Sequence, residues 1–225
     1  MSIFCCYFAV GTVTVENIPY ISASLDGVVI DGIRWATRNV DAPGTFAAAP
    51  EDFGMFYQWN RPTAWEWGVN HFGNFDLIPA SGTEWERAND PCPDGWRVPT
   101  NTEIQSLINA GSGWTSYNGV NGRIFGSGAN RIFLPFAGWL QAGGGATNLG
   151  ISALYWSNTP VAGNGLAFSF GTGFTNMVNA LRANGASVRC VEDTPPTRTR
   201  SAISMEVIEF QGDVVIEFQG DVVIE

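Results

Sequence analysis

Apolar and polar positions alternate along much of the chain, and the alternation predicts short strands. Val13 and Val15 are followed by Ile18 and Ile21, and then Val28, Ile30 and Ile33 bracket Asp31-Gly32. Two or three strands fit this stretch, with Asp31-Gly32 as a tight turn. From Trp114 onward short strand patterns alternate with Gly, Asn and Ser, and residues 132–139 read as a buried strand running into a turn. Leu166, Phe168 and Phe170 alternate with Ala167, Ser169 and Gly171. The large set is expected to face the core and the small set to face out. Residues 188–191 close the module as a strand.

A helical period is clear in one place. Ile104, Leu107 and Ile108 form an apolar stripe, Thr100 precedes them as an N-cap with Glu103 completing a capping box, and Gly111 supplies the stop. A second short helix is predicted from Pro50, with Phe53, Phe56 and Tyr57 on one face. Thr194-Pro195-Pro196-Thr197 then breaks the pattern as a linker does. Behind it Val207-Ile208-Glu209-Phe210-Gln211-Gly212-Asp213-Val214 recurs directly from Val215 to Val222. Each copy is strand-prone with a Gly-Asp break, so a hairpin or an inter-chain strand is expected, the latter making a homo-oligomer through the tail. An artificial duplication is the alternative.

Composition narrows the class. Nine Trp and fifteen Phe among 225 residues, against 14% charged residues, describe a globular chain. With 27 Gly and 12 Pro and few helical patterns, the fold should be loop-rich. The net charge of −10 opposes polyanions, and no Lys/Arg cluster offsets it, so no nucleic-acid partner is expected. Residues 3–10 are apolar but too short to span a bilayer, and no membrane insertion is expected. Cys5 and Cys6 follow no lipoprotein pattern.

Candidate chemistry is sparse. The four cysteines, Cys5, Cys6, Cys92 and Cys190, lack CxxC spacing, and His71 is the only histidine, so no metal site and no cofactor are expected. Cys92 and Cys190 stand in similar aromatic, Arg-bearing contexts. A disulfide between them would close a loop of roughly a hundred residues, worth about 4–5 kcal/mol in the chain-entropy model. Two buried free thiols are the alternative. Glu66 lies between Trp65 and Trp67, and Glu84 and Glu86 flank Trp85, a setting that carbohydrate-active sites share. A strand with its Glu facing solvent explains the same pattern more simply. His71 has no GxSxG serine or activated cysteine near it in sequence, and Gly143-Gly144-Gly145 lacks the Lys and helix of a phosphate cradle. These readings point away from an enzyme.

Four stretches carry a resemblance. They are residues 28–39 (VVIDGIRWATRN), 54–59 (GMFYQW), 90–100 (DPCPDGWRVPT) and 187–191 (SVRCV). Together they look like the major paralogous domain of Fibrobacter succinogenes, widespread in Bacteroidetes surface proteins. The stretch from Tyr155-Trp156-Ser157 to Cys190 also resembles variable proteins diversified by retroelements. Both groups are similar to the C-type-lectin-like fold shared with formylglycine-generating enzymes. The resemblance covers residues 26–192 and implies an α+β, C-type-lectin-like domain, loop-rich, with short strands and about two helices. Residues 1–25 are then an N-terminal strand segment, and 193–225 a linker with a strand-prone repeat tail. The chain lacks the Glu-Pro-Asn or Gln-Pro-Asp loop of calcium-dependent sugar binders, and Trp156-Ser157-Asn158 only echoes their Trp-Asn-Asp triplet.

The resemblance also implies a mechanism of diversification. Adenines of a template are copied with errors, so Asn codons become a mixture: an Asn codon ending in a pyrimidine reaches Val, Gly, Ala, Ser, Phe and Leu through its two adenines. The segment fits, with Asn158, Asn164, Asn176, Asn179 and Asn184 interspersed among such residues. The implied ligand-binding set is Val161, Gly163, Asn164, Ala167, Ser169, Gly171, Phe174, Asn176, Val178, Asn179, Ala180 and Leu181. Trp35, Trp59, Trp96, Trp139 and Trp156 are expected to pack the scaffold beneath it. The expected partner is a protein or a cell-surface glycan, met at a cell surface, in secretion or on a virion. The alternatives are a bacterial cell-surface domain without diversification and a carbohydrate-active enzyme.

Overall fold

A computed structural model of the chain describes residues 27–69 and 74–193, together with the backbone of 205–210 and 213–218. The chain divides into two units, Met1–Glu192 and Asp193–Glu225. The expectations for Val13 to Ile21, for Cys5 and Cys6, and for His71 lie outside the described residues.

The first unit is mostly β-sheet with one α-helix among the described residues. Strands β1 (Gly27–Ile30) and β2 (Ile33–Ala36) form the expected hairpin, pairing Ile30 with Ile33. Asp31 and Gly32 both take positive φ, 50° and 77°, as the tightest hairpin turns require. Next come β3 (Phe56–Gln58), β4 (Ala64–Trp65) and β5 (Trp96–Arg97), with a short 3-10 turn at Arg87–Asn89. Helix α1 (Asn101–Asn109) follows, with both bonds of the Thr100–Glu103 capping box formed. Ile104 and Leu107 are buried, as the stripe predicts.

Beyond the helix, β6 (Ser112–Tyr117), β7 (Val120–Ser127) and β8 (Asn130–Pro135) make a three-stranded meander. The short β9 (Trp139–Leu140) and β10 (Ala146–Thr147) lead into β11 (Ser152–Val161), β12 (Asn164–Gly171) and β13 (Thr175–Leu181). Two short strands, β14 (Gly185–Ala186) and β15 (Val191–Glu192), end the unit. β15 returns beside β2 and β5, giving a sheet of order β1-β2-β15-β5, while β14 joins β10-β9-β14-β3-β4. Cys190 closes on Cys92 as a disulfide, with Cα atoms 6.1 Å apart.

The helix predicted from Pro50 does not form. Gly54 takes φ 63°, and a Cβ there would stand 2.1 Å from the Val40 carbonyl oxygen. That close approach lets Met55 N–H donate to the same carbonyl, at 3.0 Å, and residues 56–58 run on as β3. Phe56 and Tyr57 are both fully buried but belong to different apolar clusters, as neighbours on a strand do and neighbours on one helix face do not. Among its described residues the domain therefore has one α-helix where about two were expected.

The second unit contains β16 (Met205–Phe210) and β17 (Asp213–Phe218), antiparallel with Met205 opposite Phe218 and Phe210 opposite Asp213. The two strands begin eight residues apart, which is the period of the repeat. This is the hairpin alternative of the sequence reading. No helix among the described residues is long and apolar enough to cross a membrane.

Candidate ligand-binding face

The segment from Trp156 to Cys190 is held by buried polar bonds that begin in the framework stretches. Trp156 Nε1 donates to the Tyr57 carbonyl at 2.6 Å, and Trp59 Nε1 donates to the Ser157 carbonyl at 3.0 Å. Gln58 Nε2 donates to the Ala183 carbonyl at 3.0 Å. Arg189, fully buried, sends Nε and Nη2 to Asn39 Oδ1 at 3.0 and 2.8 Å, Nη1 to the Ala36 carbonyl and Nη2 to the Phe133 carbonyl. Burial pushes its pKa down to about 10. Asn39 Nδ2 in turn donates to the Phe53 carbonyl and to the Tyr155 hydroxyl, both at 2.9 Å. Each of these donors has an acceptor, and together they brace the base of the segment.

Above this base, β11, β12 and β13 form one antiparallel sheet with apolar clusters on both faces. Trp156, Ala167 and Ala180 join Tyr57, Trp59, Trp96 and the disulfide on one face. Tyr155, Phe168 and Phe170 join Trp35, Leu107, Phe125 and Phe136 on the other. Trp35, Trp59, Trp96 and Trp156 are buried as expected, and Trp139 packs half-buried against the first cluster.

This two-sided burial corrects part of the expected face. Ala167 is completely buried, opposite Trp156 and Val178, and Gly171 and Ala180 are buried as well. A strand's alternation says which side each residue takes, but β12 is central and has a core on each side, so its small residues fill the second core. Gly171 leaves room for Phe174, whose ring a Cβ would meet at 2.7 Å. Leu166, expected in the core, is half-buried beside Asn179.

The remaining positions sit outward. Gly163, Phe174, Asn176, Asn179 and Leu181 are exposed, and Val161, Asn164, Ser169 and Val178 are half-buried. Phe174 and Leu181 stand out as large apolar side chains in water, 43% and 57% exposed. They flank opposite ends of β13, roughly 24 Å apart at strand spacing. Phe174, Asn176, Asn179 and Leu181 thus follow β13, with Asn176 and Asn179 on opposite faces of it, while Gly163 lies in the β11–β12 turn.

Several residues of this region were not singled out by the sequence. Arg182 lies with its guanidinium 3.9 Å from the centre of the Trp59 ring and donates to the Asn164, Ala80 and Gly82 carbonyls. It ties the β11–β12 tip to the 77–82 loop, which exposes Leu77 and Ile78. Gly165 is required where it stands, since a Cβ would meet the Trp59 ring at 2.5 Å. An Arg one residue past an Asn-rich strand was a usable signal for the first; Leu77-Ile78 carried none.

Glu66 is exposed and lines an open cleft of about 350 Å³ with Asp41, Asp52 and Trp67, and that lining includes neither Glu84 nor Glu86. Among the described residues, no group of three or more His, Cys, Asp or Glu is placed to hold a metal ion. Compared with known protein families, curated proteins and solved structures, the chain shows no match.

Proposed function

We propose that residues 26–192 are a C-type-lectin-like scaffold for recognition, and that the outward positions of 161–181 are its ligand-binding face, diversified by a retroelement. The protein would act at a cell surface, in secretion or on a virion, where the Cys92–Cys190 disulfide persists. One observation carries the reading: along β12 and β13 the chain divides into framework residues locked between two cores and a set of exposed Asn, Phe and Leu. Rigid elements presenting changeable apolar and amide side chains suit a surface whose affinity comes from a few anchors. The partner is a protein or a cell-surface glycan.

Sequencing this locus across a natural population tests it. Replacements should concentrate at Phe174, Asn176, Asn179 and Leu181, and should spare Gly165, Ala167, Gly171 and Ala180. Replacements spread evenly over the domain would overturn diversification. A second reading, an undiversified cell-surface domain, draws on the burial of Ala167, Gly171 and Ala180, which leaves fewer positions free to vary. It expects no excess of replacements at the exposed set.

A further inference from the structure

Among the described residues, the β11–β13 sheet is closed on one edge and open on the other. On the β11 side, Gly138 N–H donates to the Ser152 carbonyl, Ser187 N–H to the Leu154 carbonyl, and Trp156 N–H to the Ser187 carbonyl. Among the described residues, β13 has β12 on one side and no strand on the other. At the β12–β13 turn Gly171 N–H donates to the Phe174 carbonyl at 3.1 Å, which sets the phase of the ladder. By the alternation of antiparallel pairing, Asn176, Val178 and Ala180 exchange bonds with β12, while Thr175, Met177 and Asn179 turn N–H and C=O outward. Among the described residues, no hydrogen bond reaches these outward groups, whereas the Leu181 carbonyl is taken by Asn184 N–H at 2.8 Å.

Natural edge strands are usually blunted by Lys, Pro, a bulge or very short length. Residues 175–181 (TNMVNAL) carry no charge and no proline, and their pairing with β12 runs from Asn164↔Leu181 to Phe170↔Thr175 without a register break. We infer that β13 receives an extended segment of a partner polypeptide, added as a fourth strand to the sheet. This rests on the reading of 161–181 as a binding face and names its ligand class. Backbone N–H and C=O groups alternating at strand spacing match the outward groups of Thr175, Met177 and Asn179 one for one, and a glycan offers no such ladder. A segment of about seven residues spans the line from Phe174 to Leu181, whose exposed side chains flank it as apolar anchors. The chain's net charge of −10 repels a second copy and any acidic segment, so the occupant is a neutral or basic stretch of another protein.

A displayed random heptapeptide library, selected on the intact chain alone, is the probe, and its binders are then compared on the Asn179→Pro variant. Proline at 179 removes an outward N–H and leaves the β12 ladder untouched, and a matching thermal melt confirms that the variant is folded. The selected peptides should be free of Asp and Glu and should lose about tenfold affinity on Asn179→Pro, a loss that Asn179→Ala, which keeps the outward N–H, should not reproduce in full. Bound peptide should slow amide exchange at Thr175, Met177 and Asn179, which exchange fast in the free protein, beside the already slow Asn176, Val178 and Ala180. Peptides that bind Asn179→Pro equally well, or that leave those three amides unprotected, overturn the inference. So does concentration-dependent protection of the same amides without peptide, which would assign the edge to a second copy. If Leu181→Ala still weakens peptide capture while the edge amides stay unprotected, the binding face stands and strand addition fails.

Discussion

Arg189 is the one guanidinium sunk fully into the first unit's described interior, and its hydrogen-bond acceptors are neutral: Asn39 Oδ1 and the carbonyls of Ala36 and Phe133. A buried cation without a carboxylate depends on each of these oxygens, because losing one leaves an N–H of the guanidinium unsatisfied in the interior. Asn39 is the most exposed to loss, since it accepts two of the bonds and donates to Phe53 and Tyr155 besides. Asn39→Ala should therefore destabilise the domain by about 3 kcal/mol, most of it from the charge left unpaired. Chemical denaturation of the two proteins checks this. A loss below about 1 kcal/mol would mean that water reaches Arg189, and that the base of the 156–190 segment is looser than its geometry.

Individual elements differ in how far local chemistry determines them. The α1 helix and the β1–β2 hairpin were legible because each is set by rules that act over a few residues: Thr100 and Glu103 at the N-cap, Asp31-Gly32 at positive φ. The helix expected from Pro50 failed because the spacing of Phe53, Phe56 and Tyr57 is helical while Gly54 is committed to a distant contact with Val40. Ala167 and Ala180 were misplaced for a related reason: a period of two separates the faces of a strand but is silent on whether a second layer covers the other face. For α1 the local rule yields a measurable pH effect. Burial alone would raise the Glu103 carboxyl, but bonds from Arg97, at 2.6 and 2.9 Å, and from Thr100 hold it below the usual carboxylate range. Its stabilisation is complete above the ordinary carboxylate pKa of 4.5 and is lost as pH falls through the lower folded value. Glu103→Gln should melt lower at neutral pH, by about 1 kcal/mol, and show a shallower decline on acidification than the parent. Parallel acid limbs in thermal melts would assign the parent's acid sensitivity to other carboxylates.

At the scale of the whole first unit, the decisive link is the one that brings the end of the module back to its middle. Cys190 leads directly into β15, which lies between β2 and β5, and Cys92 sits just before β5, so the disulfide pins the closing strand to the sheet it completes. Both sulfurs lie in the cluster that carries Trp59, Trp96 and Trp156 beneath the proposed face. The bridge spans 98 residues, and that span includes α1 and all three strands of the β11–β13 sheet. By loop-closure entropy it should contribute about 4–5 kcal/mol, and its reduction should lower the melting temperature by roughly 10–20 °C for a domain of this size. The effect acts mainly on the unfolded chain, so a Cys92→Ala, Cys190→Ala variant should keep its near-ultraviolet aromatic signal at low temperature and still melt early. Because the edge amides of β13 depend on the sheet and not directly on the bridge, their fast exchange should also survive in that variant below its melting point. A variant that loses the aromatic signal outright would place the disulfide among the contacts that shape the tryptophan cluster, rather than among the restraints on the unfolded state.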